Sequence, residues 1–255
     1  MHGALAPRWS VLFAAVLCGS LVSAQIITVP PPKPRAPLPA YEQSQWSLVI
    51  AAGWSRRTAR LPEGLSNDQR DFIEAQRNGA HAMLGIEHFR KATFGFGLNL
   101  EGVQWSHSTS SLTLDDTGQV ASRAAASSTV RLLSFGPKLF WRPIDPRGRI
   151  AFTVEAGGGY VNYRDAFTFG TDNYRIIGHS VFGNGALLLD VKATEKIAIG
   201  ARVAYVLASF NSFEIEYESG IIGALPSGYT EDAKHIDIGF RLGIALGDGR
   251  LRSDR

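Results

Sequence analysis

From Tyr41 onward the apolar residues recur at every second position, in eight separate runs, and no segment outside the connections holds a 3.6-residue period. The first run sets Trp46, Leu48, Ile50, Ala52 and Trp54 against Ser47, Val49, Ala51 and Gly53. The third sets Phe94, Phe96, Leu98 and Leu100 against Gly95, Gly97, Asn99 and Glu101, and the fifth sets Ile150, Phe152, Val154 and Ala156 against Thr153, Glu155 and Gly157. The last is the most regular: Ile236, Ile238, Phe240, Leu242, Ile244 and Leu246 alternate with His235, Asp237, Gly239, Arg241 and Gly243. Each run is long enough to cross a bilayer as a tilted strand, which takes about 9–11 residues. The second face of each run is small or charged.

Periodicity alone does not separate a soluble sandwich from a membrane barrel, but the connections do. Residues 58–80, 106–126, 164–179 and 209–233 read as long polar loops, whereas 90–93, 142–149 and 191–196 are short. Strict long–short alternation is the mark of a barrel with extracellular loops at one rim and periplasmic turns at the other. The predicted fold is all-β, an eight-stranded antiparallel up-and-down transmembrane barrel over 41–246 with both ends in the periplasm. Aromatics fit two interfacial girdles, with Trp141 beside a short turn and Trp54, Trp105, Tyr160 and Tyr205 near the long loops. Gly136-Pro137 interrupts the fourth run, where a bulge is expected.

Residues 1–24 read as a signal peptide, with Arg8 before a short apolar core and Val22-Ser23-Ala24 at the cleavage point. The only cysteine, Cys18, falls inside it, which leaves the mature chain without disulfide or thiolate chemistry. Residues 25–40 are proline-dense and read as a stiff periplasmic linker, and 247–255 as a C-terminal periplasmic tail. A net charge of +3 spread along the chain offers no electrostatic case for nucleic acid.

At the last strand Asp237, Gly239, Leu242 and Ile244 match the polar–glycine–hydrophobic alternation that resembles the C-terminal assembly signal of outer-membrane barrels. Residues 41–246 as a whole resemble the small eight-stranded barrels of the OmpA/OmpX type. That resemblance implies a monomer in the bacterial outer membrane, in contact with its lipid and lipopolysaccharide and delivered by the barrel assembly machinery. It implies nothing definite about activity.

The lumen of an eight-stranded barrel is only wide enough for side chains. Strand parity sends Glu87, Glu101, Glu155, Asp190 and Asp237 into it with Lys138, Arg202, Arg241 and His235. Buried charges must pair, so a carboxylate–arginine network is expected, centred on Glu101, Glu155, Arg202 and Arg241, with Asp237 as a further member. In the first loop Ser66 to Gly79 reads as a short helix capped by Ser66 and stopped at Gly79. In the last, Phe213, Ile215 and Tyr217 alternate with glutamates as a strand above the membrane. The histidines at 81, 107, 179 and 235 fall near the loop rim, yet no catalytic triad, metal-ligand spacing or phosphate loop appears in the sequence. The expected role is structural, adhesive or surface-interacting, without cofactor or metal and without catalysis. The alternatives are a narrow channel for small or apolar solutes, a lipid-modifying rim enzyme, and a secreted lipocalin-like carrier.

Overall fold

A computed structural model describes residues 46–61, 64–89, 93–116, 119–144, 149–194, 196–217, 222–224 and 230–246. The expected signal peptide, proline-rich linker and C-terminal tail lie outside the described residues. The strands are β1 (Trp46–Arg57), β2 (Asn78–Phe89), β3 (Phe94–Asp116), β4 (Gln119–Trp141), β5 (Ile150–Phe169), β6 (Asp172–Lys192) and β7 (Ile197–Phe210). Three short ones follow, β8 (Phe213–Tyr217), β9 (Ile222–Ala224) and β10 (Glu231–Asp232), before β11 (His235–Leu246). Among the described residues a single helix, α1 (Asn67–Ala75), interrupts the β1–β2 connection.

Each of β1 to β7 pairs antiparallel with its sequence neighbour, β7 pairs with β11, and β11 returns to β1 from Trp46↔Leu246 to Arg57↔His235. An eight-membered ring closes with no open edge at membrane level. The seam between first and last strands is tight. Gly53 faces Gly239, and a methyl on either would run into backbone carbonyls of the opposite strand.

Exposure follows the predicted alternation. Ile50, Leu84, Phe96, Leu139, Leu187, Val203 and Phe240 all point outward and are largely exposed, while the intervening residues are buried. An apolar exterior around a charged interior is the inverse of a water-soluble barrel and suits hydrocarbon.

Three expectations need correction. Residues 106–126 and 164–179 are largely strand: β3 and β4 stay paired to Asp116↔Gln119 with two register irregularities, and β5 and β6 to Phe169↔Asp172. Wetted on both faces, a strand beyond the bilayer has no reason to alternate apolar with polar, so its composition looks like a loop's. No bulge marks Gly136-Pro137, because Phe135↔Tyr160 and Lys138↔Gly157 keep one register on either side. The helix ends at Ala75 with Gln76 as its cap, so Gly79 lies in β2. Its start is as expected, a reciprocal capping box between Ser66 and Gln69.

Candidate functional site: the barrel lumen

The inward residues form layers along the axis. Nearest the short turns, Arg241 on β11 grips Glu87 on β2 with both terminal nitrogens, at 2.7 and 2.8 Å, and donates from Nε to Asp190 on β6 at 3.0 Å. The planar guanidinium fork suits a bidentate carboxylate, and Arg241 satisfies two strands at once. Phe89 and Phe140 pack at 5.8 Å, and Arg142 covers the Phe89 ring at 3.5 Å.

At the centre Lys138 Nζ donates to Glu101 and Glu155, at 2.8 Å each. Arg202 Nη2 donates to the same carboxylates at 3.1 and 2.8 Å, and Asn184 adds a bond to Glu155 at 2.9 Å. Two cations and two carboxylates balance, all buried. Such a cluster is held together by mutual dependence, since removing one member strands the others without water.

The expected network thus divides. Glu101, Glu155 and Arg202 are brought together, with Lys138 as the fourth member. Arg241 lies in the Glu87–Asp190 layer, because the β1–β11 register carries it toward the turn end. Asp237 stands apart from both, with no lysine or arginine nitrogen at ion-pair distance among the described residues.

Around Asp237 is a third layer that sequence reasoning did not assemble. His81, Glu101 and Asp237, from β2, β3 and β11, each place a ligand atom within 4.8 Å of the others. His235 donates from Nδ1 to the Ala233 carbonyl at 2.8 Å and brings Nε2 to 3.5 Å from Asp237. Both ring nitrogens of His81, both carboxylate oxygens of Asp237 and the Ser55 hydroxyl have no hydrogen-bond partner. The inward parity of Glu87, Gly85 and Met83 continues onto His81. That signal was legible; convergence from three distant strands was not.

Above this layer the lumen turns apolar. Trp105, Val130, Val161, Tyr163, Phe210 and Phe213 are buried together. Trp105 is corrected here: it is 0 % exposed, inside the barrel, and no part of a girdle. It shares inward parity with Glu101 on β3. Trp54, Trp141, Tyr160 and Tyr205 do face outward. Of the assembly-signal residues, Asp237 points into the lumen, Gly239 makes the seam, and Leu242 and Ile244 lie on the outer face.

At the mouth, the end of α1 and Glu231 reach the strands. Gln76 donates to Ser128, whose hydroxyl donates to Asp165 at 2.7 Å. Arg57 pairs with Glu231 and lies 5.6 Å from the Trp105 ring centre. Burial pushes the Asp165 carboxyl above the usual range, with the charge of Glu231 adding to the rise. The strand β8 is bonded on both sides, to β6 and β9, so its glutamate-rich face is no open edge. A surface groove of about 260 Å³ lies between α1 and the β3–β4 hairpin, lined by Asp68, Asp71, Phe72, His107 and Arg123.

No protein-family model matches the sequence, and no curated protein matches it. Solved structures do. A major outer membrane protein from Thermus thermophilus aligns with a TM-score of 0.51 at 11% identity, over 78% of this chain and 98% of that one. The fold is that of an outer-membrane β-barrel. Neisserial surface protein A aligns at 0.49 with 9% identity, over 79% of this chain and 97% of that one. OprG from Pseudomonas aeruginosa aligns at 0.44 with 14% identity, over 80% and 98%. At these identities the barrel's architecture is shared, and its role must be argued from its own residues.

Proposed function

We propose that this outer-membrane barrel is a closed anchor for a surface-exposed β-sheet, with a structural or surface-interaction role and no catalytic one. The observation that carries this is the burial of the lumen at every layer. Arg241, Glu155, Arg202, Trp105 and Phe210 are each at most 5 % exposed, which a water-filled pore would not allow. What projects beyond the apolar belt is large. β3 and β4 carry more residues above it than within it, and β5, β6, β8 and β9 continue the sheet. Ser55, His81 and Asp237 do converge, yet they lie sealed below Trp105, where no substrate reaches a nucleophile.

Conductance in planar bilayers tests this against the channel reading. The purified barrel is expected to give no unitary steps, and Arg202→Ala is expected to leave the membrane equally tight because the aromatic layer remains. Discrete steps from the wild-type protein that change with Arg202→Ala would replace this reading with a gated channel.

Above the belt the outward face carries exposed Arg56, Arg131 and Arg164, while Arg175 is paired with Glu216 at 3.0 Å. Guanidinium groups at that height suit the phosphates of lipopolysaccharide, the partner this reading assigns to the exposed arginines.

A further inference from the structure

The third lumen layer gathers buried polar atoms that its own residues leave without hydrogen-bond partners. A carbonyl oxygen only accepts, so the 2.8 Å contact between His235 Nδ1 and the Ala233 carbonyl fixes the proton on Nδ1. Its Nε2 lies 3.5 Å from a carboxylate oxygen of Asp237. Lys138 and the Nη2 of Arg202 are matched by Glu101 and Glu155, while Arg202 Nη1 is buried with no hydrogen-bond partner. Arg241 is matched by Glu87 and Asp190.

The donors converging there are those of a borderline transition-metal ion. His81 is 4 % exposed with neither ring nitrogen hydrogen-bonded, and Asp237 is 1 % exposed with His235 Nε2 at 3.5 Å as its ionic contact. Their ligand atoms and one from Glu101 lie within 4.8 Å of one another. Metal–ligand bonds of about 2.1 Å put two tetrahedral ligands about 3.4 Å apart, so small side-chain rotations bring these three atoms onto one ion. Imidazole nitrogen with carboxylate oxygen selects zinc-like ions over calcium or magnesium, which prefer all-oxygen shells.

We propose that the lumen binds one divalent first-row transition-metal ion through His81, Asp237 and Glu101, with the fourth position left to water. The ion bridges β2, β3 and β11, and so pins the closing strand to strands it does not neighbour. Because Trp105 and Phe210 seal the layer from above, the ion enters while the barrel is closing. It does not percolate in afterwards.

The test refolds the full chain from urea into detergent micelles, once with EDTA and once with zinc chloride, followed by desalting. Zinc is then counted per folded barrel, and folding is scored by gel mobility without boiling. The wild type refolded with zinc is expected to retain about one ion, and Asp237→Asn and His81→Gln about ten-fold less or lower still. Refolding with cobalt chloride is expected to give the intense visible bands of a four-coordinate nitrogen–oxygen site, which decides the matter should either variant fail to fold. A folded wild-type barrel that carries no zinc and shows only the weak aquo-cobalt spectrum overturns the proposal. So do folded variants that retain as much zinc as the wild type.

Discussion

Single side chains in this barrel matter most where charge is enclosed. Glu155 accepts from Lys138, Asn184 and Arg202 together. Glu155→Gln keeps the shape but leaves two buried cations sharing Glu101 alone. Breaking a buried pair costs about 3–5 kcal/mol, so urea unfolding in lipid vesicles is expected to fall by that order; a loss near zero would mean water already reaches the cluster. Asp165 behaves in the opposite sense. Its folded pKa is raised by burial, so the folded state holds the proton more tightly than the unfolded one. Its contribution is full below the ordinary aspartate range and is lost as pH rises through the raised value. Asp165→Asn, which still accepts from Ser128, is expected to remove that decline and to unfold at higher urea than the wild type at neutral pH. Unfolding midpoints across roughly pH 4 to 8 would show whether the two curves converge toward acid, as this requires.

At the scale of elements, the seam is the constraint. Gly53 and Gly239 face one another between β1 and β11 with no space for a side chain. Gly239→Val is therefore expected to prevent closure, read as loss of the unboiled gel shift. Gly102→Val is the control: a methyl there meets nothing, so it is expected to leave the shift intact. The membrane-level strands could be placed closely from alternation, because lipid imposes a period of two wherever it touches the chain. The strand extensions of β3 to β6 were not legible. Water on both faces removes the period, and Ser108, Ser110 and Ser127 then resemble a loop. Trp105 was misplaced for a related reason: its type suggested an interface, although its parity from Glu101 already pointed inward. The composition of the lumen was readable strand by strand, but its partition into layers depends on stagger around the ring, which no single strand encodes.

For the molecule as a whole, the belt and the exposed arginines above it set how it sits in its leaflet. Arg131 and Arg164 project outward just beyond Leu133 and Tyr160. If they meet lipopolysaccharide phosphates, the wild-type barrel should melt at higher temperature in vesicles containing that lipid than in phospholipid alone. Arg131→Glu with Arg164→Glu should lose most of the difference, because like charges now oppose the phosphates. Equal melting of the wild type in both vesicles would assign these arginines to solvent.

The Arg241 fork has a consequence for the order of events in assembly. Its partners Glu87 and Asp190 come from the second and sixth strands, while Arg241 arrives on the last. Until that strand docks, Glu87 and Asp190 lack their ion-pair partner in an interior about to lose its water. Docking of the last strand in register is what supplies that partner. A chain that mis-registers that strand by a single residue turns the guanidinium toward lipid, strands both acids inside, and cannot finish. The closed register is thus favoured by buried charge as well as by the backbone ladder.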